Sequence, residues 1–450
     1  MTVPDLPGIW ARLRESLWFL PTLIVLAAIV LALGMIELSA LVSDDVLERW
    51  PRVFGAGAEG ARGMLSAIAS SMITVAGVTF SITIVAVTQA STQYSPRILR
   101  NFMRDRANQA VLGIFVGIFA YCLVVLRTIR GSDEVTFVPS VAVVTGILMA
   151  LLGIAVLIFF IHHIATTLQA GEIIARIARE TCATVDERFP EEIGEADPAE
   201  GSAEPPAGDG AAARPVLAGT TGYIQRADVR HFVALAEEHD LTIRLERTAG
   251  DFVAIGQPLG WIGREHAGFG EEDRTTGVDD GELAHLIHGV YTIGTYRTLD
   301  HDAGFGIRQL VDIALKALSP GINDTTTAVT CVDYLGAVLL QLANRRINLD
   351  HRDAEGRLRL LVPGPTFASL LGEAMNEIRG NAKDHVDVLI QQARVLGAVM
   401  AATRSASRRR AVAMHVELLR EAAAREVPAG YDRERFEAAA REVPSRSDSG

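Results

Sequence analysis

The sequence predicts an α-helical polytopic membrane protein with four transmembrane helices, followed by a cytosolic α+β domain. That domain combines a small barrel-like β unit with a helical C-terminal part. Three observations carry the prediction. Four charge-free apolar runs lie between residues 17 and 161, each long enough for the hydrocarbon core of a bilayer. The charge balance then changes: residues 1–163 hold 11 Lys+Arg against 10 Asp+Glu, and the remainder holds 31 against 44. Finally, a Gly-, Pro-, Ala- and Glu-rich stretch at 190–215 separates the apolar runs from a region with strand-like and helix-like periodicity.

The first run, Leu17–Ile36, is longer than the roughly 7–15 apolar residues of a signal peptide, so it reads as an uncleaved helix. Pro21 sits near its start, where proline does least damage. Residues 37–62 form an extramembrane loop. The second span covers 64–88 and the third 110–126, where Gly113 and Gly117 give a GxxxG pattern. That pattern allows close helix contact, although Gly is also common in such helices by chance. The fourth span covers 137–161. Together these make a transmembrane domain over 1–163.

Orientation follows from the basic residues that flank the spans. Arg12, Arg14, Arg97, Arg100, Arg104 and Arg106 lie on one side, and Arg49, Arg52, Arg62, Arg127 and Arg130 on the other. The dense 97–106 cluster shares its side with the large domain. Both termini are therefore expected in the cytoplasm, with the chain in a bacterial inner membrane.

Residues 162–189 contain no proline and extend the fourth run, which predicts one long helix out of the membrane. His162 and His163 stand at its exit, as interfacial polar residues or in a metal or proton role. A flexible linker follows at 190–215. In the β-rich unit, 216–262, residues 220–225 and 241–246 alternate as strands do, with a short helix at 232–239 between them. Gly250-Asp251 marks a turn. The phrase AGDFVAIGQPLGWI resembles the half-barrel repeat of biotinyl/lipoyl-type domains. Those carriers need a modifiable lysine, and the lysines here, Lys316 and Lys383, lie outside the unit. Residues 263–280 read as a polar loop and 281–425 as a helical domain. Within it, 306–318 is a helix stopped by Ser319-Pro320-Gly321, and Asp324 caps a helix through 326–346. Helices follow at 366–376 and within 386–425. Residues 426–450 form a charged tail with a short helix near 433–441.

Three groups of residues are candidates for function. Ser66, Ser70, Thr74, Gly77, Ser81 and Thr88 share one face of the second span at a period of about 3.6 residues. Such a face is wasted on lipid, so it should meet other helices or line a wet pore. Arg97, Arg100, Arg104 and Arg106 form a membrane-exit cluster that sets topology at anionic headgroups or forms an anion-attracting vestibule. Residues 296–328 concentrate Arg297, His301, Asp302, Arg308, Asp312, Ser319, Asn323 and Asp324. Asp302, Asp312 and Asp324 could hold a divalent cation through oxygen ligands. The plainer alternative is an Arg308–Asp312–Lys316 charge ladder with Asp324 as a cap and Asn323 as a turn residue.

No Walker A, HExxH or GxSxG phrase appears, so no enzyme is expected. The acidic second half argues against nucleic acid as a partner. Cys122, Cys182 and Cys331 show neither metal spacing nor a disulfide framework, and no cofactor or metal is expected.

The phrases TVAGVTFSITIVAVTQASTQYSPRILRNFMRD, LTIRLERTAGDFVAIGQPL and FGIRQLVDIALKALSPGINDTTTA resemble, in that order, the signatures of a bacterial membrane-protein family designated domain of unknown function 2254. His301 and Thr325 stand where that pattern has Gln and Pro. The resemblance implies a polytopic membrane protein with a cytosolic domain, and it implies no activity. The expected function is an oligomeric channel or transport-like protein whose cytosolic domain regulates or assembles it. The alternative is a non-transporting scaffold or sensor. Expected partners are the bilayer, further copies of the chain, and a cytosolic protein or small ligand.

Overall fold

The computed structural model describes residues 18–41, 57–93, 105–132, 135–167, 169–190, 214–263, 290–347, 350–353 and 356–443. The chain divides into two compact units, Met1–Glu172 and Ile173–Gly450. The predicted linker and the 263–280 loop fall almost wholly outside the described residues.

The first unit is built from α1 (Phe19–Leu41), α2 (Ala58–Gln93), α3 (Arg106–Thr128) and α4 (Ser140–Thr167). A short antiparallel ribbon, β1 (Arg130–Ser132) with β2 (Val135–Phe137), joins α3 to α4. Helix α3 is the centre of the bundle, and its glycines explain how. A Cβ on Gly113 would lie 2.9 Å from Ile24 Cδ1 and 2.9 Å from Pro21 Cα, and one on Gly117 would lie 3.4 Å from Ala28 Cβ. The GxxxG pattern is therefore the seam along which α1 lies on α3, as small residues allow. Helix α4 docks in the same way. Leu65 and Tyr121 stand over Gly146, and one heptad on, Met72 and Ile118 stand over Gly153. The advancing numbers on α2 and the receding ones on α3 show that α4 runs parallel to α2 and antiparallel to α3. Phe115, Ile118, Tyr121, Cys122, Val125 and Phe160 complete the core. At one end, Tyr121 donates to the Ala142 carbonyl (2.8 Å) and Arg62 to the Ile129 carbonyl (2.8 Å).

Large apolar side chains such as Leu26, Val30, Leu151 and Ile158 point outward. In water such a surface would be a liability; in a bilayer it is solvated. Among the described residues five helices are long and apolar enough to cross a membrane: α1 to α4 and Thr325–Leu342.

The predicted long exit helix is interrupted. Helix α4 ends at Thr167 and α5 (Ala170–Arg188) starts anew, with i→i+3 bonds from Gln169 N to Thr166 O and from Glu172 N to Gln169 O. The Thr166 hydroxyl donates to the His162 and His163 carbonyls in the last turn of α4.

The second unit begins with α5, whose Ile173, Ile174, Ile177, Ala178 and Val185 are buried. Then come β3 (Arg214–Leu217), β4 (Gly222–Ala227), α6 (Val229–Glu238), β5 (Thr242–Leu245), β6 (Phe252–Val253), β7 (Pro258–Gly263) and β8 (Tyr291–Gly294). The helical part contains α7 (Ala303–Ala317), α8 (Thr325–Leu342), β9 (His351–Arg352), β10 (Leu358–Leu361), α9 (Phe367–Asn381), α10 (Val386–Ala402), α11 (Ala406–Glu426) and α12 (Tyr431–Arg441).

The strands divide between two sheets, β3-β7-β5-β10-β9 and β6-β4-β8, and not one closed barrel among the described residues. They share a core of Val216, Ile224, Phe232, Ile243, Leu245, Val253, Leu259, Tyr291 and Leu360. The β region is also not contiguous in sequence. Strands β8 and β10 fall inside the stretch read as helical, and β10 pairs in parallel with β5. In the tail, the short helix expected near 433–441 is present, and it packs. Helix α12 buries Phe436, Ala439 and Ala440, and Val443 covers Gly397 of α10. Seven charged residues between Asp432 and Glu442 hide that narrow apolar face in the sequence.

Candidate functional site

On α2, the residues Ala61, Leu65, Ala69, Met72, Ala76, Ala86 and Val87 are buried. Ser66, Ser70, Thr74, Gly77, Ser81 and Thr88 are all exposed. The small, hydroxyl-bearing face therefore does not seat the chain's own helices; the glycines of α3 and α4 do that. The Thr74 hydroxyl donates to the Ser70 carbonyl (2.8 Å) and the Thr88 hydroxyl to the Ile84 carbonyl (2.9 Å). Their protons are satisfied within the helix, and their lone pairs remain on the open side.

Of the basic cluster, Arg97, Arg100 and Arg104 lie outside the described residues. Arg106 is exposed at the first position of α3. Beside it, Asp105 caps α3 by accepting from Ala107 N–H at 2.9 Å, and its other oxygen lies 2.7 Å from His163 Nε2. Sequence reasoning missed this pair. The histidine had no carboxylate near it in sequence, and the helix pairing that supplies one spans 58 residues. The one available signal was an Asp placed to cap a helix just after the Arg cluster.

In the second unit, Arg297 and Asp302 come together. Arg297 Nε and Nη2 donate to Asp302 Oδ2 at 2.9 and 2.7 Å, and Asp302 Oδ1 accepts from Phe305 N–H at 3.0 Å, capping α7. Arg297 also lies over the Phe305 ring, 5.2 Å from its centroid. The β hairpin meets this pair at Gly250. Its φ of +98° belongs to the left-handed region, and a Cβ there would stand 2.2 Å from Asp302 Oδ2. The second family-like phrase thus meets the cap of the helix that the third one forms. Arg188 at the end of α5 donates to Thr248 Oγ1 (2.7 Å), and Thr248 N–H donates to Asp251 (2.8 Å). Across Gly304 stands Glu373 of α9.

Burial pushes the carboxyls of Asp302 and Glu373 above the usual carboxylate range, with Arg297 pulling against it in both cases. Burial likewise lowers Arg188. Further along α7, Arg308 binds Asp312 (2.8 Å) and Glu377, and its hydrogen bond holds the Glu377 carboxyl low.

Asn323 and Asp324 lie elsewhere, beyond the far end of α7, a helix about 22 Å long at 1.5 Å per residue. Asn323 takes a φ of +53°, and Asp324 accepts from Thr327 N–H (3.0 Å) and Thr327 Oγ1 (2.6 Å) as the cap of α8. Those bonds lower its carboxyl, the Thr327 hydroxyl first. Asp302, Asp312 and Asp324 therefore act as cap, partner of Arg308 and cap, and they do not converge. Among the described residues no group of three His, Cys, Asp or Glu is placed to hold a metal ion. Beside the α8 cap, the Thr325 hydroxyl is 2.8 Å from His385 Nδ1.

Comparison with known proteins agrees with the membrane character of the first unit. Uncharacterized proteins of Mycobacterium bovis and Mycobacterium tuberculosis H37Rv are each 37% identical over 426 residues, which is 94% of this chain and 78% of theirs. One from Mycobacterium tuberculosis CDC 1551 is 36% identical over the same span. No solved structure matches. Residues 14–398 match the family described as predicted membrane protein, domain of unknown function 2254, and the chain belongs to that family.

Proposed function

We propose that this membrane protein is a homo-oligomeric channel or transport-like protein of the bacterial inner membrane. It has four spans and cytosolic termini, a path lined by the open face of α2, and a cytosolic unit that gates or assembles it. The observation that supports this reading is the division of α2: Ala61, Leu65, Ala69, Met72 and Ala76 are buried in the bundle, while the Gly, Ser and Thr stripe is left open, flanked by exposed apolar side chains such as Val78, Ile82 and Val85. The four helices are closed around a side-chain core of described residues, so a path along α2 is assigned to the space between several copies. Helix α8 is read as part of the cytosolic unit. Its apolar side is covered by α10, with Val395 over Gly336, and Gln391 of α10 donates to its Asp333. The charge-free spans disfavour a proton-coupled pump, which usually carries an intramembrane acid or histidine.

Purified protein in a planar bilayer is expected to conduct; no conductance at any potential, tension or ion gradient would count against the reading. Ser70→Cys and Thr74→Cys are expected to react with a membrane-impermeant thiol reagent and Ile82→Cys to be spared. The reverse pattern would place the stripe in lipid.

The second reading, a scaffold or sensor, draws on the Arg297–Asp302–Glu373 cluster as a place for a protein partner or small ligand. Full-length protein in detergent would then recover a soluble partner that Arg297→Ala loses; equal recovery by the variant would remove this reading.

A further inference from the structure

Two stretches of the second unit carry no charge, residues 215–225 and 252–263. They stand out because the chain after residue 163 holds 44 acidic and 31 basic residues. The fold lays them side by side. Leu217 pairs with Pro258, Gly222 with Val253 and Tyr223 with Phe252, all antiparallel. Between these pairs, Ala218 N–H donates to the Gln257 carbonyl (2.8 Å) and Gly256 N–H to the Ala218 carbonyl (2.9 Å). The result is one uncharged ribbon that runs from β3 and β7 into β4 and β6.

The ribbon carries a group of bare apolar side chains. Leu217 is 47% exposed, Phe252 52% and Ile255 67%. The other strongly exposed aliphatic side chains among the described residues of this unit, Ile322, Leu340 and Met414, stand singly elsewhere. Ile255 is the second residue of a turn, 254–257, that Gly256 completes with a φ of +80°. Turns usually take Gly, Pro or a polar residue there, so an exposed isoleucine grouped with Phe252 and Leu217 marks a contact surface.

The backbone of that turn says what kind. Its four N–H groups are all bonded within the ribbon: Ala254 to Gln257 Oε1 (3.0 Å), Ile255 to Thr221 Oγ1 (3.0 Å), Gly256 to the Ala218 carbonyl and Gln257 to the Ala254 carbonyl (3.0 Å). A turn in water does not need this, and a protein partner could bring acceptors of its own. A turn that enters a bilayer does need it, because acyl chains accept no hydrogen bonds.

We propose that this ribbon is a membrane-contact edge, which sets Leu217, Phe252 and Ile255 into the interfacial layer of the bilayer that the first unit spans. Covalent attachment to a membrane-spanning unit keeps the second unit at high effective concentration beside lipid, so a small apolar edge suffices. The lack of acidic side chains spares the ribbon repulsion from anionic headgroups. The contact requires only that the first unit span a membrane, and it stands apart from the channel reading.

The test uses the full-length chain with Cys182→Ser, in vesicles of phosphatidylcholine and phosphatidylglycerol. Cys122 and Cys331 are buried and stay unlabelled. A nitroxide is placed on Ile255→Cys, Phe252→Cys or Leu217→Cys, one at a time, and on Glu238→Cys as an exposed control. Collision with oxygen, which concentrates in lipid, is compared with collision with a water-soluble nickel chelate. The oxygen-to-nickel ratio is expected to be several-fold higher at position 255 than at 238. High nickel collision at all three ribbon positions would put the ribbon in water. Loss of collision with both agents would mean that a second copy or another protein covers it. Either result overturns the proposal. An unchanged unfolding midpoint certifies each labelled chain, and three positions keep the test decisive if one variant fails to fold.

Discussion

Gly250 shows how much a single position can carry. It must hold a left-handed backbone and leave room for the Asp302 carboxylate, so Gly250→Ala breaks two requirements together. We expect a loss of about 1–3 kcal/mol, read as a lower unfolding midpoint of the second unit, while His351→Ala at the sheet edge stays near wild type. His415 gives a pH test. It is buried, and burial, reinforced by Arg379, lowers its imidazole from 6.5 to about 4. The folded chain keeps it neutral where the unfolded chain takes up a proton. Its contribution is therefore complete above pH 6.5 and is lost as pH falls toward 4. Denaturant titrations between pH 7 and 4.5 should show that slope in the wild type and a shallower one in His415→Gln.

At the scale of elements, the helix ends are secured by side chains distant in sequence. Arg408 of α11 is 2% exposed, donates to the Leu342 and Ala343 carbonyls at 3.0 and 3.1 Å, and lies over the Phe367 ring. It closes the C-terminal end of α8. Arg408→Ala takes a charged donor from the Ala343 carbonyl and from the Leu342 carbonyl, which keeps only the Arg345 N–H (3.1 Å), and we expect about 2–4 kcal/mol of destabilisation in thermal melts. Lysine should rescue little, because it lacks the planar fork. Within the bundle, Gly113→Val would drive a side chain into the Pro21 backbone, which cannot yield as a rotamer does. A loss of about 1–3 kcal/mol should appear as a lower melting point in detergent. Cysteine cross-linking between α1 and α3 should weaken before that between α2 and α3.

Across the whole molecule, what the sequence made legible follows from how local each signal was. The apolar runs announced all four bundle helices, because hydropathy needs no partner to be read. Asp302 and Asp324 were legible as polar residues at helix starts, yet their use as caps, and not as joint ligands, depended on the length of α7 between them. Strand β10 was invisible as a strand because its partner β5 lies over a hundred residues earlier. The Asp105–His163 pair escaped for the same reason. The topology itself is open to test. A cysteine in the 42–56 loop should be labelled only from outside intact inner-membrane vesicles of native orientation, and one after residue 443 only from inside; labelling of both from one side would remove the four-span arrangement.

The pairing of β10 with β5 also has a consequence for biosynthesis. As the ribosome extrudes the chain, Thr242–Leu245 emerges and must wait, one edge bare, until Leu358–Leu361 arrives. During that interval the nascent sheet offers an open template to any passing strand. A chaperone at the exit tunnel, or rapid translation of the intervening hundred codons, would decide how many copies reach the finished sheet.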